Sequence, residues 1–176
     1  MYSSYGFTLF ECIIVICIIT IISFYAVPSF QDYQAKQESY NCLKTFQDSF
    51  ELAKINARLY GENIVICPSS NSISCNENTW NKGFIIFFDL NNSNNRQPNE
   101  QILDAVSFNF KYGNIKWYGP RPHGIHKNFI TFRGDTGLSR GSAGRVEYCS
   151  NTFYHQKITL SLMANTRIQK ITVCSN

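Results

Sequence analysis

Three groups of residues in this sequence have types and spacings that could support chemistry. The first is the seven cysteines. Cys12 and Cys17 lie near the N-terminus, Cys42 stands alone, Cys67 and Cys75 flank Pro68-Ser69-Ser70-Asn71, and Cys149 and Cys174 lie near the C-terminus. Paired thiols cross-link in an oxidising compartment or ligate metal in a reducing one. There is no C-x-x-C pair, and His123, His126 and His155 lack matching spacings, so the pattern argues against zinc. The second group is one residue, Glu11, the single formal charge between Phe7 and Val27. The third is a set of cations near the C-terminus: Arg133, Arg140, Arg145, Lys157, Arg167 and Lys170. Enzymatic chemistry has little to work with. No nucleophile elbow or Walker loop occurs, the acids are scattered, and the histidines lack a Ser or Cys partner. The expectation is a protein without catalytic residues, cofactor or metal.

Glu11 takes its meaning from its surroundings. The run Phe7 to Val27 is apolar or small apart from Glu11, and about 20 such residues cross a hydrocarbon core as a helix. A helix satisfies its own backbone hydrogen bonds, which lipid cannot do. A secretory signal is the competing reading. It fits poorly, because Met1 to Tyr5 has no Lys or Arg, the run is long, and no A-x-A pattern follows it. A carboxylate inside a bilayer costs on the order of 3 kcal/mol and normally has a partner. If this anchor delivers the remainder outside the membrane, the expected disulfides are Cys67–Cys75 and Cys149–Cys174, with Cys42 free and Cys12 and Cys17 serving as small buried apolar residues.

The cations take theirs from asymmetry. Residues 1–110 hold 6 Lys/Arg against 10 Asp/Glu, while residues 111–176 hold 10 against 2. Such a split suggests an anionic partner for the C-terminal portion, or a solvated basic surface. Lys and Arg that neutralise phosphates would give sequence-independent, salt-sensitive binding to double-stranded DNA. Tyr148, Phe153, Tyr154 and His155 are aromatic enough to stack on bases, or to fill a β core.

The elements that position these groups follow from periodicity. Pro28 ends the apolar run and is expected to kink or open the helix. Beyond it, Tyr40, Leu43, Phe46, Phe50, Ala53, Ala57 and Tyr60 recur at helical spacing, and Gly61 is a plausible stop. One helix from about Phe7 to Tyr60 is implied. After it the pattern is β: Ile64–Cys67, Gly83–Asp89, Ile102–Val106, Phe108–Tyr112, Ile115–Tyr118, Phe129–Phe132, Lys157–Leu162 and Ile168–Val173. Gly113-Asn114 suggests a two-residue hairpin between Phe108–Tyr112 and Ile115–Tyr118. Asn71 to Asn81, Asn91 to Asn99 and Gly134 to Gly144 are expected loops, with Gly119 to Gly124 a Pro/Gly break. The fold class is α+β, a long N-terminal helix on an antiparallel β-sandwich head.

Gly6-Phe7-Thr8-Leu9-Phe10-Glu11, with the apolar run behind it, resembles the cleavage site of the type IV prepilin family, which includes the pseudopilins of type II secretion. The resemblance implies cutting by a prepilin peptidase between Gly6 and Phe7, N-methylation of Phe7, and pairing of Glu11 with the N-terminal amine of a neighbouring subunit during assembly. Phe10 stands where an aliphatic residue is commoner, and the leader lacks the family's usual basic residues. The resemblance divides the chain into a leader (1–6), a transmembrane and filament-core helix (7–30), and a periplasmic head (31–176) made of an amphipathic helix (31–60) and a β region (61–176). Ile64-Val65-Ile66-Cys67-Pro68-Ser69, Cys75, Trp80 to Phe84, Phe87-Phe88-Asp89 and Gln101-Ile102-Leu103 look like the GspH/FimT branch of minor pilins and pseudopilins, FimU-like proteins among them. That branch implies a single-pass inner-membrane protein with a periplasmic head. Its partners would be other major and minor pilins, the prepilin peptidase and the inner-membrane assembly platform. It leaves pilus and type II secretion open, and tip or base. Some FimT-like members bind DNA through a C-terminal Gly-Arg-x-Arg motif. Here Thr166-Arg167-Ile168-Gln169 occupies that place: Arg167 matches, Thr166 replaces the glycine, Gln169 replaces the second arginine, and Lys170 lies one residue on.

Overall fold

The computed structural model describes residues 8–120, 128–139, 141–151 and 154–175. Among the described residues there is one helix, α1 (Leu9–Tyr60), of 52 residues, about 78 Å at the usual rise per residue. Its start is fixed by a capping box. The Glu11 N–H donates to the Thr8 hydroxyl at 3.3 Å, and the Thr8 N–H donates to the Glu11 carboxylate at 2.8 Å. Its end is fixed by Gly61, whose φ of 70° is the left-handed conformation that glycine adopts freely. The helix runs unbroken through Pro28, which deprives the Phe24 carbonyl of its donor without ending the element.

The two halves of α1 have opposite surroundings. Every residue from 8 to 33 is exposed, and this half is long and apolar enough to cross a membrane. Cys12 and Cys17, expected to be buried, are exposed on the isolated chain because nothing in the head reaches them. Beyond Gln34 one face is buried: Ala35, Ser39, Cys42, Leu43, Phe46, Ser49, Phe50, Ala53 and Ala57. Small residues along that face let the sheets approach the helix backbone, and the two Phe rings fill what remains. Tyr40 and Tyr60, read as members of the same stripe, are 54% and 60% exposed. Tyr40 lies off the buried arc, and Tyr60 packs edge-on against Phe88 at the rim, 5.2 Å between centroids.

Among the described residues, eight strands form two antiparallel sheets. The first has β1 (Ile64–Pro68), β2 (Gly83–Phe88), β3 (Ile102–Ser107) and β5 (Ile130–Phe132) in the order β3-β2-β1-β5. The second has β4 (Gly113–Tyr118), β6 (Gly144–Ser150), β7 (Gln156–Leu160) and β8 (Thr166–Lys170) in the order β4-β6-β7-β8. Both give apolar side chains to one core with α1: Ile64, Ile66, Phe84, Ile86 and Phe132 from one sheet, Ile115, Val146, Tyr148, Ile158 and Leu160 from the other. Phe46 is the centre, with Phe84, Phe108, Phe50 and Trp80 at 4.9, 5.8, 5.9 and 6.1 Å. Truncating a ring so enclosed typically costs about 3–5 kcal/mol. On the far side of the first sheet, Val65, Cys67, Ile85 and Phe87 form a second cluster with Cys75 and Phe129. That second cover explains why β1 and β2 are continuous apolar runs rather than alternating ones.

Two expectations are corrected. Phe108–Tyr112 is not a strand, and Gly113-Asn114 is not a hairpin turn. The chain instead crosses between sheets there. Phe108 and Phe110 stack on the core, 4.9 Å apart, and the Phe108 N–H donates to the Lys82 carbonyl. Gly113 opens β4, where a Cβ would lie 2.5 Å from the Tyr148 ring. The glycine is there for close approach, not for a turn. The second correction is β6, a central strand read neither as strand nor as turn. The C-terminal hairpin is present but earlier than expected: β8 stops at Lys170, and residues 171–175 leave the sheet edge.

Candidate functional site

At the N-terminus, the Gly6–Phe7 junction lies outside the described residues. Glu11 is exposed in the first turn of α1, where its carboxylate also accepts from the Thr8 hydroxyl at 2.9 Å. The residues around it are apolar and equally exposed, and among the described residues Thr8 is the hydrogen-bond partner its carboxylate has.

The joint between helix and head is built on Glu38, which sequence reasoning passed over as one polar residue among several. Its carboxylate accepts from the backbone N–H of Lys111 at 2.8 Å, the N–H of Tyr112 at 3.0 Å and the hydroxyl of Tyr148 at 2.6 Å. The Tyr112 hydroxyl donates to Gln34 one turn below. One acid thus ties α1 to the inter-sheet crossing and to the central strand β6. Burial, then the hydrogen bond to Glu38, pushes the Tyr148 phenol well above its ordinary value, so it stays a donor. Burial, then the Glu38 charge, likewise pushes the Cys42 thiol up, and this free cysteine is chemically quiet. The sequence shows only a carboxylate at the margin of the apolar stripe, and the three donors that give it this role are distant in the chain.

The C-terminal cations are divided by the sheet. In β6 and β7 the buried Val146, Tyr148, Ile158 and Leu160 point inward, so Arg145, Glu147, Cys149 and Lys157 face outward. The registers Arg145↔Thr159↔Arg167 and Lys116↔Glu147↔Lys157↔Gln169 put Lys116 and Arg167 on this outer face too. Lys170 has the parity of Ile168, which packs on the core, so it does not join Arg167. Arg133 lies beyond the end of β5 in the other sheet, in a two-point ion pair with Asp135. Arg140 and Phe153 are outside the described residues. Tyr148, offered as a base-stacking candidate, is a core residue.

A C-terminal strap occupies the centre of that outer face. Cys149 and Cys174 form a disulfide across a separation of 25 residues, and Cys67 and Cys75 form the other across 8. Closing loops of these lengths stabilises a fold by about 2–4 kcal/mol each in the chain-entropy account. The bonded sulfurs also remove Cys149 and Cys174 as thiolate ligands, although their atoms and Glu147 lie within 4.8 Å of one another. The strap ends on Glu147, which accepts from the Ser175 N–H at 2.9 Å and the Ser175 hydroxyl at 3.0 Å. Arg145 donates to Glu147 at 2.6 Å and to Ser175 Oγ at 3.1 Å, and its guanidinium lies 4.6 Å from the Tyr118 ring centroid. Arg145 is therefore committed to the strap.

Burial alone would raise the Glu147 carboxyl, but Arg145 and the two Ser175 donors outweigh it and hold the group below the ordinary carboxylate range. Its folded value being depressed, its stabilisation is full above the ordinary carboxylate pKa and is lost as pH falls through the folded value. Glu147→Gln should lower unfolding stability at pH 7 by about 2 kcal/mol and flatten the loss of stability on acidification. Denaturant melts between neutral and acidic pH check this. Parallel pH profiles for both proteins would contradict the assignment.

The family described as Type II transport protein GspH matches residues 43–174. Among solved structures, the minor pseudopilin EpsH from the type 2 secretion system of Vibrio cholerae superposes with a TM-score of 0.50 at 8% identity, covering 76% of this chain and 97% of that one. The type IV minor pilin FimU of Pseudomonas aeruginosa (strain PAO1) gives a TM-score of 0.50 at 12% identity, covering 78% and 92%. At such identities the likeness is one of fold. No curated protein sequence matches significantly. The family match takes in the buried half of the helix from Leu43, all eight strands and both disulfides, and by it this chain belongs to the GspH family.

Proposed function

We propose that this protein is a minor type IV pilin. In this reading it is cut by the prepilin peptidase between Gly6 and Phe7, N-methylated on Phe7, and inserted by the inner-membrane assembly platform into a tip or initiation complex with other pilins. Until assembly it is a single-pass inner-membrane protein with its head in the periplasm, and it works as a subunit rather than an enzyme. The observation that carries the reading is the division of α1. Residues 8–33 are exposed and largely apolar while the second half is sealed into a folded head. A single acid, Glu11, stands within its apolar run, Phe7 to Val27. Within lipid that carboxylate is costly unless paired, and the amine of a trimmed neighbour is a suitable partner. The other reading keeps every step and changes the machine: a GspH-like minor pseudopilin of a type II protein secretion system. The family description favours it. Glu11→Ala should leave an abundant, folded membrane protein that is missing from sheared filaments or from cross-linked pseudopilus complexes. Normal incorporation would contradict the role given to Glu11.

Contact with double-stranded DNA forms the second part of the proposal. Lys116, Lys157 and Arg167 share the outer face of the second sheet beside the strap, and each phosphate they neutralise releases a counterion. Replacing Lys157 and Arg167 by Ala in the full chain should weaken binding equally for unrelated duplexes. It should also reduce the slope of log affinity on log salt by about 2. An unchanged slope would remove this face from DNA contact.

A further inference from the structure

Below the joint, the head overhangs the helix. The roof of the overhang is Lys111 and Tyr112. Its floor is the α1 surface at Ala26, Val27, Phe30, Gln31 and Gln34, and the wedge between them holds about 620 Å³. The roof is rigid, because the N–H groups of both roof residues are bound to Glu38 and the Tyr112 hydroxyl to Gln34. The Lys111 ammonium lies 5.2 Å from the Tyr112 ring centroid, is exposed, and has no ion-pair partner among the described residues. The wedge also lies at a particular height. The membrane-length apolar run ends at Val27, on the floor itself. Phe24, Tyr25, Phe30 and Tyr33 are 78, 72, 59 and 61% exposed around the helix at this level, the arrangement of an aromatic belt at a membrane interface.

We propose that this wedge binds one phospholipid of the membrane that α1 spans, with the phosphate against Lys111, the glycerol ester region against Gln31 and Gln34, and the first acyl methylenes against Val27 and Phe30. This rests on the reading of α1 as a membrane anchor. The size suits a glycerophosphate head with its first methylenes. The basic excess of residues 111–176 favours an anionic leaflet over a neutral one. A lipid held there seats the head at a fixed height and tilt before assembly, since the roof is part of the head and the floor part of the anchor.

The test reconstitutes the full chain in phosphatidylglycerol vesicles containing two photoactivatable lipids, one with a diazirine on the headgroup and one with it deep in the acyl chain. Cross-linked peptides are then mapped by mass spectrometry. The headgroup probe should label 26–34 and 111–112. Lys111→Gln should cut labelling at 111–112 about fivefold, and Lys111→Arg should restore it. Acyl labelling of residues 9–25 without headgroup labelling of 111–112 overturns the lipid site while leaving the anchor intact. Failure of the acyl probe to label 9–25 overturns the anchor, and the site with it. Cross-links from 111–112 to the helix of a second copy, in place of lipid, overturn the site in favour of a protein occupant.

Discussion

One helix must satisfy two solvents. The placement of the head follows from α1 continuing without a break from a stretch that the head leaves bare into a stretch that the head encloses. The bare half cannot be stabilised by folding of this chain, because burial of apolar area is what stabilises a folded domain and none is available there. The enclosed half is the reverse: its helix is held mostly by packing of Leu43, Phe46 and Phe50 against both sheets rather than by propensity. Continuity transmits orientation. Whatever fixes the bare half in lipid or in a filament also fixes the head.

That transmission needs a stiff joint, and Glu38 supplies it. A carboxylate that accepts from two successive backbone N–H groups and a buried phenol fixes the crossing between sheets relative to the helix. The joint stands just above the last exposed turn, where a flexible connection would otherwise let the head swing. On the other face of β6 from Tyr148, Glu147 does similar work for the C-terminal strap, helped by Arg145 and the Cys149–Cys174 disulfide. Both acids are held by several donors, so each anchors a segment that lacks regular backbone pairing of its own. The basic C-terminal composition looks different in this light. Of the cations singled out, Arg145 and Arg133 are engaged with acids, and Lys170 is turned toward the other face.

The helix, the antiparallel head and both disulfides were legible in the sequence because each rests on a local or compositional signal: an apolar run of membrane length, apolar residues at helical spacing, short β runs, and cysteines in pairs. What failed depends on long-range contact. Gly113-Asn114 has the chemistry of a hairpin turn, but the glycine answers to the Tyr148 ring, 35 residues later in the chain. β6 alternates polar and apolar residues as a strand should. Its charged members Arg145 and Glu147 hid it, because their outward placement under a strap cannot be read locally. Glu38 was missed for a related reason, since its three donors lie 73, 74 and 110 residues away. The same limit explains Tyr40, which lies off the buried arc, and Tyr60, which ends α1 and meets only the rim of the head at Phe88.

The chain carries its own reporters for the central claim. Cys12 and Cys17 are free and exposed on the bare half of α1, and Cys42 is free and buried in the head. The decisive measurement is their reaction with a membrane-impermeant maleimide in intact native membranes, then in detergent, then in denaturant, with the modified residue identified by mass spectrometry. The account predicts that Cys12 and Cys17 are silent in membranes and react in detergent, while Cys42 reacts only after unfolding. Ready labelling of Cys12 and Cys17 in intact membranes would contradict it, because the bare half of the helix would then be standing in water.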